Sequence, residues 1–486
     1  MALRDCRDLA VSTRNRISLD RYEAALHLLH GYYGDPLAAI DRALEEDPEF
    51  VMGHCLRAAL MVMSTDKGAE PMLLKSVRAA QGLVHRANER ERMHIAAAHA
   101  WLNGNFERSV RLYGDILLEY PRDALALQVA HVGDFFLGQS SMLRDRVAQV
   151  LPHWSEGVPG YGFVLGMHAF GLEETALYAQ AEAAGRRALS LNARDPWAVH
   201  AVAHVMEMQG RFDEGIQWLG SRRDDWAPDN GLAYHNWWHL ALFHMDRGEE
   251  ARAVELYDTA VRKPGSNVVL EMIDASALLW RLHLRGADLG ERWNGIADAW
   301  EARLEEGYYA FNDAHAMMAF VGAGRVQSAQ RLLEVLQKRA GAGGTNGRMT
   351  WEVGLPLCRA LHAFGQADYG TAVELLQPLR LISARFGGSH AQRDIVPLTL
   401  IEAAIRGGQL PLARALLAER TSLKPESPFN WASTVRALRM MGDRDGADDA
   451  VKRSITARGT AIAATLVTAP SVSAASVSGM PLASAA

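Results

Sequence analysis

The 486-residue sequence predicts an all-α chain, a tetratricopeptide-like α-solenoid in which irregular helical hairpins wind into a right-handed superhelix. Three observations predict it. Alternating β-branched runs are absent, while Ala, Leu, Glu and Arg recur at helical spacing almost throughout. A turn signature recurs in "GNFERS", "GRFDEG", "GEEARA", "GRVQSA", "GQLPLA" and "GDRDGA". The intervals Gly104 to Gly138, Tyr178 to Phe212 and Ala413 to Ala447 are each 34 residues, the tetratricopeptide length.

The hairpins follow from that register. With Gly104 at position 15 of a 34-residue unit, Phe106 falls at 17, Tyr113 at 24 and Pro121 at 32, which places a second helix and the proline that ends it. With Gly248 at position 15, Ala253, Tyr257 and Ala260 fall at 20, 24 and 27. Towards the C-terminus the small residues 329, 372 and 413 are separated by 43 and 41, so the array is irregular there. The Gly-rich "RAGAGGTNGRMT", residues 339 to 350, is expected to be a flexible loop or a break in the array. The array is expected over residues 1–455. An Ala/Ser-rich tail, 456–486, has no charge after Arg458 and is expected to be disordered.

Composition excludes several roles. A net charge of −6, from 51 basic and 57 acidic residues, and the absence of any Lys/Arg block argue against nucleic acid as a partner. Cys6, Cys55 and Cys358 are odd in number and far apart, which argues against a disulfide framework and fits a reducing, cytoplasmic location. The charged start "MALRDCRDLA" does not read as a secretory signal, and no apolar run approaches membrane-spanning length.

Candidate chemistry gathers on first helices. Counting from Gly210, His200, His204 and Glu207 fall at positions 5, 9 and 12; counting from Gly248, His235 and His239 fall at 2 and 6. All are positions that face the concave inner surface of such an array. The same count from Gly324 puts His315 at 6, with Asp313 in the first turn of its helix. Histidines one helical turn apart can chelate a divalent transition metal, so His200, His204, His235 and His239 are the metal-ligand candidates, with Glu207 or Asp313 able to complete the set. The zinc-protease motif is absent, because Ala201 follows His200 where that motif needs a glutamate. A metal-free site with an imidazole base oriented by a carboxylate is the other chemical option. In "GGSHAQRDIVP", Ser389, Gln392, Arg393 and Asp394 sit at a helix start, suited either to an anion or to plain capping and ion pairing. Trp197, Trp237 and Trp238 read as packing.

Together, "FVMGH", "NGNF", "VHAVAHVMEM", "HNWWHLALF", "FNDAH", "VGLPLC" and "GGSHAQRD" resemble the tetratricopeptide repeat protein 38 family, in order from about residue 3 to 430. The resemblance implies a helical-repeat protein without an assigned biochemical activity. It also implies that the positions of His200, His204, Glu207, His235, His239, Asn312, Asp313, His315, Gln392, Arg393 and Asp394 match family motifs. The expected function is binding of a protein, a peptide or a small polar ligand in the concave groove through these residues. The alternative is a metal-assisted hydrolase built on the same cluster.

Overall fold

Two kinds of helix alternate along the chain. Second helices carry one apolar stripe: in Phe106–Glu119, Phe106, Val110, Tyr113 and Leu117 are buried at helical spacing, and charged residues cover the opposite face. First helices are buried nearly all round. In Ala124–Phe136 and in Pro196–Met208 almost every position is buried. A helix buried on every face must lie inside, and one with a single stripe must lie outside. First helices therefore form an inner layer and second helices an outer one, each packed on its neighbours in sequence.

The computed structural model describes residues 3–263 and 265–458. Among them there is no strand, only the isolated bridges Arg4–Ala10 and Tyr33–Asn230. No described helix is long and apolar enough to cross a membrane. The chain is an all-α, tetratricopeptide-like solenoid.

The turn glycines hold the register. Gly104, Gly138, Gly210, Gly248, Gly286, Gly324, Gly408 and Gly442 all have φ between 65° and 80°. In that left-handed conformation a residue just past a helix end lets its N–H reach back to the last carbonyls, and only glycine adopts it without strain. Ala176 and Ala367, at φ 61° and 58°, occupy the same place in two hairpins. With them the turns are 34 or 38 residues apart as far as Gly324, and then 43, 41 and 34 apart. The expected irregularity is a change in connection length around a constant hairpin.

Two expectations about the chain's organisation change. Residues 339–350 are not a loose loop: Gly343 and Gly344 turn the chain left-handed, and a short helix, Gly344–Met349, follows. That helix is tied down, because Thr345 N–H donates to the Gly104 carbonyl at 3.1 Å and the Asn346 amide bonds Gly307 and Ala310 at 2.9 and 2.8 Å. The last helix, Arg444–Arg458, runs past the expected boundary at 455, and residues 459–486 lie outside the described residues.

The concave groove is closed. Arg303 grips Asp66 through two bonds of 2.6 and 3.1 Å, and the Asn312 amide donates to the Thr65 carbonyl at 2.9 Å. The Asn230 amide donates to the Gly31 carbonyl at 3.0 Å, and the Tyr309 hydroxyl to that of Phe136 at 2.8 Å. These contacts join distant hairpins across the superhelix. The inward faces that sequence position assigned to an open groove are thereby packed against one another.

Candidate metal centre

Four helices build the centre. Asp195 caps Pro196–Met208 by accepting from the Trp197 and Ala198 N–H groups at 3.1 and 3.0 Å, and Pro196 at the first position presets the helical backbone. The uninterrupted helix stacks His200, His204 and Glu207 on one face. Ala233–Asp246 supplies His235 and His239 in the same way. Tyr161–Glu173 brings Glu173, and Val269–Leu284 brings Asp274.

The four imidazoles converge: one ligand nitrogen from each of His200, His204, His235 and His239 lies within 4.8 Å of all the others. Nε2 of His200 and Nε2 of His235 are 3.0 Å apart, and the ring centroids of His204 and His239 are 4.4 Å apart. A metal with bonds of about 2.05 Å to nitrogen has tetrahedral edges of roughly 3.4 Å, so slight side-chain adjustment would seat one ion. All four histidines are buried.

Behind three of the four rings stands a carboxylate. His235 Nδ1 is 2.6 Å from Asp274 Oδ2, His239 Nδ1 is 2.9 Å from Glu207 Oε2, and His204 Nδ1 is 3.3 Å from Glu173 Oε2. At His235 and His239 the carboxylate holds the proton on Nδ1 and turns the Nε2 lone pair the other way, towards the centre; Glu173 only approaches His204, and the two make no hydrogen bond. Without a cation the arrangement is costly, since buried Nε2 atoms of His204 and His239 have no hydrogen-bond partner. Burial, and then the neighbouring imidazoles, push the pKa of His200 and His239 well down; burial brings His204 to about 4. Neutral imidazole is the ligand form.

Aromatic rings wall the centre. Phe170 lies 5.3 Å from both His200 and His204, Trp197 lies 4.9 Å from His200, and Trp238 stacks on His235 at 5.4 Å. These tryptophans do pack, and what they pack against is the histidine cluster. Glu173, Glu174 and His204 form a second group of close donors. Glu174 is taken up by the His390 backbone N–H at 2.8 Å and by Arg393 at 3.4 Å, and burial pushes the Glu173 carboxyl well up.

The other expected residues lie elsewhere. His315 turns back to its own helix, its Nδ1–H donating to the Phe311 carbonyl at 2.7 Å, and is not part of the four-histidine group. Asp313 lies in a separate small cavity beside Tyr308, Tyr309 and Asn312, where burial brings its carboxyl to about 7. At "GGSHAQRD" the capping option holds: Ser389 and Gln392 form a reciprocal capping box. Asp394 is paired with Arg420 through bonds of 2.6 and 3.0 Å. Glu207 alone of the candidate carboxylates touches the centre, and it also lines the cavity that holds Asp394.

The sequence reading missed Asp274 and Glu173. Each had a signal: an acid in the otherwise apolar runs "EMIDASALLW" and "GMHAFGLEE" is a charge that needs a buried partner.

No family model matches the chain. Human IFIT1, solved as a dimer with PPP-AAAA, is similar at TM-score 0.41 and 13% identity over 90% of this chain and 94% of that one. The Cut9–Hcn1 hetero-tetramer of APC/C is similar at TM-score 0.31 and 11% identity over 93% and 95%. Both neighbours are helical-repeat proteins of the tetratricopeptide type. Likeness of this degree carries nothing about ligands.

Proposed function

We propose that this helical-repeat protein is a metalloprotein that holds a first-row transition metal on His200, His204, His235 and His239 and binds a small polar ligand close to it. The observation that carries the reading is the convergence of the four buried imidazoles, two of which, His235 and His239, bond a carboxylate at Nδ1. An all-imidazole donor set suits zinc, iron, nickel or copper and not magnesium or calcium. Burial of the centre favours a small ligand over a peptide, since no chain can reach four buried histidines while the superhelix is closed. A cytoplasmic setting and kinship with the tetratricopeptide repeat protein 38 family complete the reading, the first supported by the three free cysteines.

Elemental analysis of the purified full chain tests it. About one metal per chain is expected, lost in His204→Ala and in His239→Ala. A wild-type protein that stays metal-free when offered zinc, iron, nickel and copper, or variants that keep a full load, would overturn it. A metal-assisted hydrolase is the second reading, favoured by Glu207, which holds a ring of the centre and also lines a cavity. Ester or phosphodiester hydrolysis that rises and falls with metal load would support it, and a fully loaded but inert protein would refute it.

A further inference from the structure

The cavity on the outer side of Glu207 lies between the inner helices and the C-terminal hairpins, and its charged lining includes Glu207, Asp246, Arg281, Asp394, Arg420 and Lys424. Much of this charge is internally paired. Arg420 takes Asp394, and Arg285 takes Asp246 and Glu250 at 3.4 and 3.1 Å. Two cations remain without a carboxylate in ion-pair range among the described residues. Arg281, 5 % exposed, bonds only carbonyl oxygens, those of Ala277, Ala391 and Gln392 at 3.1, 2.5 and 3.5 Å, and lies 5.1 Å from the Trp238 ring centre. Lys424 is half-buried on the same cavity. A guanidinium out of water, with donors to spare and no anion in contact, is costly unless an anion arrives.

We infer that this cavity is a binding site for a small oxyanion that retains a hydroxyl, such as hydrogen phosphate or the singly protonated phosphate end of a small metabolite, with Arg281 and Lys424 taking its charge and Glu207 accepting its O–H. Size and polarity both select this class. The free space of about 50 Å³ holds a compact group and not a peptide. An acceptor carboxylate in the wall repels a fully ionised anion and accepts from one that keeps a proton. Burial lowers Arg281 to about 10, with Asp394, Glu207 and Asp274 opposing, which fits a cation whose desolvation its surroundings do not fully offset. The inference rests on the cavity and stands apart from metal binding.

Calorimetric titration of the full chain with inorganic phosphate, sulfate and glycerol 3-phosphate, as purified and again after chelation, tests it. Saturable phosphate binding that survives chelation is expected, at least tenfold weaker with sulfate, at least tenfold weaker in Arg281→Gln and several-fold weaker in Lys424→Ala. Lys424 is half-buried, so Lys424→Ala keeps the test open if Arg281→Gln does not fold. Glycerol 3-phosphate binding as tightly as phosphate points to a phosphorylated metabolite, and weaker binding points to the free ion. Absence of saturable phosphate binding, binding abolished by chelation, equal affinity for sulfate, or unchanged affinity in Lys424→Ala would each overturn the inference.

Discussion

Asp274 does for His235 what no residue on the histidine's own helix can do: it stands at Nδ1, 2.6 Å away, and decides which nitrogen faces the centre. Asn in its place keeps the shape but lacks the charge, and its amide can present N–H to the ring. Asp274→Asn is expected to weaken metal affinity by about 10- to 100-fold. Competition against a chelator of known affinity measures it, and an unchanged constant would show that the carboxylate is a bystander. The histidines were legible in the sequence because the hairpin register assigns a facing to each position. Asp274 and Glu173 were not, because no spacing rule links them to His235 or His204; only the packing of adjacent first helices brings them together.

At the scale of the helix, two features of the hairpins have measurable consequences. Ala176 and Ala367 hold left-handed turns that glycine fills in most other hairpins. Replacing either by Gly removes Cβ strain against a smaller gain in unfolded-chain entropy, so Ala176→Gly and Ala367→Gly are each expected to stabilise the fold by about 0.5–1 kcal/mol. Urea denaturation checks this, and a loss of stability in both would mean that the turns are unstrained. The second feature is the cap Asp195, fully buried, whose carboxyl burial raises to about 7 while the Ala198 and Trp197 N–H groups pull it down. A carboxyl with its folded pKa above its unfolded value binds protons more tightly when folded. Stability therefore falls as pH rises from about 4 to 7 and levels off above that. Asp195→Asn keeps an oxygen for the cap and removes the charge. It is expected to raise the melting temperature at pH 8 and leave it nearly unchanged at pH 4.5, and equal effects at both pH values would remove the titration from the account.

For the whole molecule, the decisive event is closure of the superhelix. The Asp66–Arg303 pair is half-buried and joins residues 237 apart in sequence, and Tyr309, Asn230 and Thr345 add further ties between remote hairpins. A solenoid stabilised only between neighbours would breathe along its length. Here the first helices are also held across the interior, so a bound ion would leave only when the array opens. Arg303→Ala is expected to cost about 1 kcal/mol, the scale of a partly exposed ion pair, and to speed chelator extraction of the metal severalfold. Stopped-flow extraction with a chromogenic chelator reads the rate, and equal rates in variant and wild type would place the exit path elsewhere.

The sequence by itself determined the helical hairpins, their turn glycines and the common inward direction of His200, His204, His235 and His239, because periodicity and turn chemistry are local and a repeat carries the same facing from unit to unit. It placed a break in the array at residues 339–350, where the turn interval lengthens to 43, but read as a flexible loop a segment whose glycines turn left-handed and lead into a docked helix. Only the tertiary structure decided that the inner surface is closed, that Asp274 and Glu173 complete the histidine cluster, and that His315 and Asp313 stand apart from it. Each of those depends on how far one hairpin rotates on the next and on contacts across hundreds of residues, and neither quantity is written in the spacing of side chains along a single helix.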